Sequence, residues 1–240
     1  MDAKGQEPAS ASAAVRPARG PLSRERIVDA ALALVERHGL PGLTTRRLGT
    51  ALGFEAMSIY HHFPSKQHLL DALVERALGS VGEPPGNTDP IERLRFLGYE
   101  YRRVAHRYPR LFPLLALHRL NMPAGVAFIE RMLRHFHDAL PDDKLAAQAF
   151  RLFGYYVNGA ALDETSAHAE GPSAAEPVAD AHINAECPRL AAAAPYFKRP
   201  YFDSTFELGF ASILDGIARS REALLAKARS TPKPTMHPKT

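Results

Sequence analysis

Arg46, Arg47, Tyr60, His61, His62 and Lys66 crowd into one short stretch, with the Ser58 hydroxyl among them and Glu55 as the single opposing charge. Guanidinium and ammonium groups hold phosphates, an arginine fork can also engage both acceptors of a guanine edge, and hydroxyls adapt to either. The set points to nucleic acid, although a solvated polar face on an ordinary helical unit would carry the same residue types. Flanking residues supply the geometry. Thr44 can cap a short helix whose Leu48, Ala51 and Leu52 form its buried side and which Gly53 ends. Beyond it, Ile59 and Phe63 form an apolar i,i+4 pair that turns the remainder of a helix over 54–63 outward. Helix, glycine turn, helix is the arrangement that lays a second helix in a major groove with its N-terminal residues against base edges.

These two helices need neighbours. Ser23 caps a preceding helix with Ile27, Ala30, Ala31, Leu34 and Val35 on one face; Gly39 stops it, and Leu40 can pack back on Val35. Pro64 and Ser65 open a fourth helix with Leu69, Leu70, Leu73, Val74, Ala77 and Leu78 on its apolar side, ending at Gly79. Residues 23–79 are thus expected to form a helix-turn-helix domain of three or four helices. Residues 1–22, rich in Ala, Pro, Ser and Gly, read as a disordered arm. With Lys4, Arg16 and Arg19 it could reach a minor groove or be an inert extension.

The stretch SVGEPPGNTDP reads as a linker, and a larger helical domain is expected over 89–229. Asp89-Pro90 starts a helix ending near Pro109, shorter helices follow over 110–120 and 124–139, and Asp142 or Asp143 caps a long one through about Leu162. Residues 166–181 read as a mobile loop, Asp203 caps a helix carrying Phe206, Phe210, Ile213, Leu214 and Ile217, and 230–240 read as a disordered tail. No strand pattern or repeat occurs, so the expected class is all-α. Tyr101, Phe112, Phe128, Phe150, Phe153 and Tyr156 supply rings that could line a cavity for a mostly apolar small molecule, or simply fill the core.

Bulk composition narrows the function classes. Hydrophobic residues at 45% and charged residues at 23% fit a folded chain. Lys and Arg exceed Asp and Glu by only 30 to 26, so local placement of charge carries the nucleic-acid argument. Cys187 is the lone cysteine, which excludes an internal disulfide and a cysteine zinc site and suits a reducing cytoplasm. No signal-like core and no run of about 20 apolar residues is present, so a cytoplasmic protein without membrane contact is expected. His135 and His137 are two apart on a helix and cannot face one ligand, so neither a metal nor a cofactor is expected. A GxSxG elbow, a phosphate loop and a dinucleotide fingerprint are all missing, which argues against an enzyme. A hydrolase in the second domain and an architectural DNA binder are the competing readings.

The segments GLTTRRLGTALGF and SIYHHFPSKQHLLDAL closely resemble the DNA-binding domain of the tetracycline-repressor (TetR) family, without a gap over residues 23–78. The resemblance implies that Arg46 reads a base, that Glu55, Ala56, Met57 and Ser58 begin the recognition helix, and that Met57 touches a thymine methyl. It further implies that Thr45, Tyr60, His61 and Lys66 hold the DNA backbone. Phe206-Glu207-Leu208-Gly209-Phe210 and Ile213-Leu214-Asp215-Gly216-Ile217 are similar to the last helix of the tetracycline repressor's own C-terminal class. In that class two long helices per subunit build a four-helix dimer interface, which suits 144–162 and 203–218. A homodimer on a palindromic operator of double-stranded DNA, released by a small-molecule effector, is the implied function, with repression as the family default. His118 and Asp163 resemble positions of the drug and magnesium site. A histidine placed after the fourth helix in that repressor has no counterpart near Gly79-Ser80-Val81, so a metal-free effector is expected. His118 and Asp163 then either orient it or are satisfied interior polar groups.

Overall fold

The computed structural model describes residues 21–118, 120–165 and 175–230, and the elements among them are helices and turns without a strand. The all-α expectation is met. The arm over 1–20, the tail over 231–240 and the first part of the expected loop, 166–174, lie outside the described residues.

Helix α1 (Arg24–Gly42) begins where the Ser23 hydroxyl accepts the Arg26 amide, 3.3 Å. Gly39 interrupts its helical dihedrals at φ 71°, a region open to glycine, and one further turn runs on to Gly42. Thr44 caps α2 (Thr45–Leu52) by accepting from the Arg47 amide at 3.2 Å. Gly53, left-handed at φ 75°, closes it, and the Phe54 amide reaches back to the Gly49 carbonyl at 3.0 Å. Because that C-cap absorbs Phe54, α3 is only Ala56–Tyr60, shorter than the expected 54–63. Ser65 caps α4 (Lys66–Leu78), and the helix packs against both α1 and the later α7.

The segment after α4 is less free than its Gly and Pro content suggests. Val81 is buried, the Gly82 amide donates to Glu100 at 2.8 Å, and Arg103 donates to the Ser80 carbonyl at 2.7 Å. The Arg103 guanidinium holds Glu100 below the usual carboxylate range, against the opposing effect of burial. Then come α5 (Pro90–Arg107), α6 (Phe112–Leu117), α7 (Pro123–Ala139) and α8 (Asp143–Thr165). Asp142 caps α8 through the Leu145 amide, 2.9 Å. Helices α9 (Asp180–Glu186) and α10 (Pro188–Ala193), followed by two single-turn 3-10 segments, occupy a region where no helix is expected from the sequence pattern. They bury no residue, so no apolar stripe marks them. Helix α11 (Phe202–Ser230) outlasts the expected 203–218 because its continuation is built from strong helix formers such as Ala, Leu, Arg, Glu and Lys.

The second unit is centred on aromatic rings of three helices. Phe153 of α8 meets Phe136 of α7 edge-on at 5.2 Å and Phe210 of α11 at 5.5 Å. Helix α5 closes this core where Gly98 lies so near the Phe210 ring that a Cβ would sit 2.2 Å from it.

Gly49 plays the matching part in the first unit. A Cβ there would sit 2.7 Å from the Phe54 carbonyl oxygen and 3.3 Å from the Ala56 amide, both backbone atoms. Gly49→Ala is expected to force α2 and α3 apart and destabilise the protein by about 1–3 kcal/mol, an overpacking cost. Denaturant unfolding measures it; an unchanged midpoint would show that the two helices can separate without loss.

Candidate nucleic-acid interface and effector cavity

Two helix starts and one helix end converge on the outer face of the first unit. Thr44 and Thr45 at the start of α2, Tyr60 at the end of α3, and Ser65 and Lys66 at the start of α4 line a single groove of about 240 Å³. Ile59, Phe63 and Leu69, all buried, form its floor. Helix starts carry partial positive charge, so a groove with two of them, an ammonium and three hydroxyls and a phenol suits a phosphate. The structure therefore brings Thr45, Tyr60 and Lys66 together.

The remaining expected DNA contacts are not part of this groove's lining. Arg46 and Arg47 are exposed on α2, and the Thr50 hydroxyl donates to the Arg46 carbonyl at 3.0 Å. Glu55 and His61 are exposed, Ala56 and Ser58 half-buried, and Met57 is 68% exposed, unusual for a large apolar side chain. One support was not read from the sequence. Arg24 of α1 lies over the Phe63 ring at 4.2 Å and donates to the His62 carbonyl at 2.5 Å, so α1 braces the end of the short α3.

In the second unit a cavity of about 420 Å³ opens among α5, the end of α6, α7 and α8. Tyr101, His118, Phe128, Phe150 and Phe153 line it, with Asn158 beside them. Phe112 is fully buried behind this wall, its ring 5.5 Å from that of Tyr101. Tyr156 faces the other way: its hydroxyl donates to the Phe206 carbonyl at 2.7 Å and its ring stacks on Phe210 at 6.2 Å. Asp163 is exposed and off the lining, and His118 is exposed at the cavity's edge, so neither is the satisfied interior polar group that was one expectation.

The interior carboxylate of α8 belongs to the next residue. Glu164, with a side chain 6% exposed, accepts two bonds from Arg102 of α5, at 2.7 and 3.1 Å, and lies 2.8 Å from His106 Nε2. Arg102 also pairs with Asp203 at 2.9 Å and covers the Phe206 ring at 4.5 Å. Burial disfavours the Arg102 charge, yet the bonds from Glu164 and Asp203 outweigh it and raise its pKa. A second joint links the two units: the Glu36 carboxylate of α1 accepts the amides of Arg110 and Leu111, at 3.2 and 3.1 Å, just before α6. Burial raises the Glu36 pKa, and those two amides oppose the rise. Among the described residues no group of three or more His, Cys, Asp or Glu could hold a metal ion, and no helix is long and apolar enough to cross a membrane.

Known proteins match both halves. Residues 27–73 match the family of bacterial regulatory proteins, tetR family, and residues 83–221 match the tetracyclin repressor-like C-terminal domain. The class A tetracycline repressor protein from transposon 1721 of Escherichia coli is 30% identical over 203 residues, covering 83% of this chain and 92% of that protein. The HTH-type transcriptional repressor DrrR1 of Streptomyces coeruleorubidus is 28% identical over 235 residues, covering 91% and 85%. Among solved structures, the TetR family protein ActR of Streptomyces coelicolor, in complex with actinorhodin, superposes with a TM-score of 0.65 at 25% identity, covering 84% of this chain and 99% of that one. These matches run through both the groove-bearing and the cavity-bearing halves; the chain belongs to the TetR family and is a ligand-responsive, DNA-binding transcriptional regulator.

Proposed function

We propose that the protein is a cytoplasmic, non-enzymatic repressor that holds a palindromic operator as a homodimer and lets go when a mostly apolar molecule enters the cavity without a metal. The domain limits that go with this are 23–79 for DNA binding and 89–229 for effector binding and dimerisation. The groove shared by Thr45, Tyr60 and Lys66 is the observation that carries DNA binding: helix starts and cationic or hydroxyl side chains converge there. Names of relatives agree with repression, since the matched proteins from E. coli and S. coeruleorubidus are called repressors.

Roles divide by chemistry. Arg46 reads a guanine, with Arg47 beside it; Glu55, Ala56, Met57 and Ser58 face base edges; and Thr45, Tyr60, His61 and Lys66 hold phosphates. Arg46→Ala is expected to weaken operator binding by about 1–3 kcal/mol and to relax preference at one base position per half-site. Lys66→Ala is expected to weaken all sequences alike and to flatten the salt dependence. Binding titrations on a set of single-base operator variants at several salt concentrations separate the two; if Arg46→Ala behaved as Lys66→Ala does, the division would fall.

A dimer is supported by an apolar groove along α8 and α11, where Leu145, Ala149, Leu152, Ile213 and Ile217 lie, and by Leu208, exposed on α11. Two-fold pairing puts the recognition helices about 34–36 Å apart, one helical turn of DNA. Light scattering at micromolar concentration is expected to give a dimer both free and on DNA, and a monomer in both states would overturn the reading.

Release runs through α4, which starts in the phosphate groove and ends at the second unit, and through the Glu36 joint. A ligand shifts the equilibrium only by its differential affinity, so weakening DNA tenfold takes about 1.4 kcal/mol, and DNA weakens the ligand equally. The rings of Tyr101, Phe128, Phe150 and Phe153 suit an apolar effector, with His118 at the cavity's edge. Calorimetry with tetracycline and magnesium is expected to show no tight binding; magnesium-dependent binding that frees the operator would defeat the metal-free reading.

A further inference from the structure

Three buried side-chain polar atoms among the described residues have no hydrogen-bond partner: Arg93 Nε, His135 Nδ1 and Asn158 Oδ1. Of the three residues, Asn158 alone lines the effector cavity. Buried polar groups are nearly always bonded, so an orphan at a cavity wall asks for a partner that arrives with the ligand. Asn158 stands one helical turn after Gly154, which also lines the cavity, and its Nδ2 lies 3.9 Å from where a Gly154 Cβ would be. Gly154 puts no side chain beside the carboxamide, whose Oδ1 is itself buried at the cavity wall.

A second polar group stands at the same cavity. The Tyr101 phenol of α5 also lines the cavity, and burial pushes its pKa up. By contrast, the other polar pair at the cavity is already occupied, because Arg151 Nε donates to the Tyr155 hydroxyl at 2.9 Å.

The lining also limits which donor could reach Asn158 Oδ1. Among the described residues no carboxylate lines the cavity, so a cationic amine would lose its hydration there without gaining a counter-charge. A carboxylate ligand has no proton to donate to Oδ1. Neutral O–H and N–H donors remain, of which a hydroxyl can both donate and accept. The neighbouring walls are flat rings, Tyr101 and Phe128 lying nearly parallel, 28° apart with centroids at 6.0 Å, which favours a planar aromatic body over a bulky aliphatic one.

Resting on the effector reading above, we propose that Asn158 is the specificity-determining residue of this cavity and that its ligands are planar hydroxylated aromatics. Their phenolic hydroxyl donates to Asn158 Oδ1, while an oxygen of the same molecule accepts from the Tyr101 phenol. A site that hydrogen-bonds a hydroxyl rejects the analogue lacking it far more strongly than an apolar pocket rejects a methyl group.

Matched probes test this on the full-length protein: a dihydroxyflavone with both hydroxyls remote from its carbonyl, its dimethyl ether, and unsubstituted flavone. Each is titrated by calorimetry and scored for release of operator DNA, with wild type, Asn158→Leu and Tyr101→Phe compared and melting curves reporting their folding. Wild type is expected to bind the diol at least tenfold more tightly than the ether, a gap that closes in Asn158→Leu and narrows in Tyr101→Phe. Equal binding of diol and ether, a preference that survives in Asn158→Leu, or binding of none of the three probes overturns the proposal. If diol and ether bind equally and both release DNA, the effector reading stands and the Asn158 assignment falls. If the diol binds with Asn158-dependent preference but leaves DNA bound, the ligand class stands and release through this cavity falls.

Discussion

Helix α4 has to be buried on nearly every side, and much else follows from that. From Leu69 to its end it carries Leu69, Ala72, Leu73, Val74, Ala77 and Leu78, all inside, so no single neighbour can cover it. It is therefore clamped between α1 of the first unit and α7 of the second. Its exposed residues are confined to the first turn, where Lys66, Gln67 and His68 stand, and to Glu75. The same rod thus has its solvent-facing start, with Lys66, at the groove shared with Thr45 and Tyr60 and its apolar end inside the protein, which ties the position of that groove to the packing of the helices around the cavity.

That clamp would transmit little if the second unit were soft, and the fixed points of that unit are ionic as well as apolar. Arg102 binds Glu164 with two hydrogen bonds inside the protein, so α5 and α8 cannot slide past one another without breaking a paired, desolvated charge. Glu36 joins α1 to the amides just ahead of α6, the helix whose end borders the cavity. Displacing α6 must stretch those bonds or carry α1 along, and α1 braces α3 through Arg24. Two routes, α4 and the α1 joint, therefore lead from the cavity wall to the groove-bearing first unit.

Caps and stripes made most of this fold legible in the sequence. Ser23, Thr44 and Ser65 each accept an amide at a helix start, as their positions before apolar periodic runs implied, and Gly53 takes the left-handed conformation that its place in the turn required. Gly49 gave no such signal, because it sits at ordinary helical dihedrals and its role is a close backbone approach that exists only once α3 has folded over it. Helices α9 and α10 were invisible for a related reason: they bury nothing, and burial is what writes periodicity into a sequence. On α8 the difficulty was angular. Neighbouring residues on a helix differ in direction by about 100°, so Asp163, taken from resemblance, faces solvent while Glu164 faces Arg102. The same rotation turns Tyr156 toward α11 and brings Asn158 to the cavity. A list of aromatic residues could not supply that sense of direction.

Helix α3 could not stand by its own resources. Five residues, Ala56–Tyr60, cannot form a stable helix in water, where the first turn is costly and few bonds follow it. Its geometry is borrowed from Ile59 and Phe63 in the shared core, from the Gly53 turn, and from the Arg24 brace. DNA affinity and core packing therefore draw on the same contacts. A ligand that repacks the cavity need not touch α3 to change its affinity; it is enough that the arrangement of α4 and α1 favoured by the ligand differs from the one that holds α3 in place.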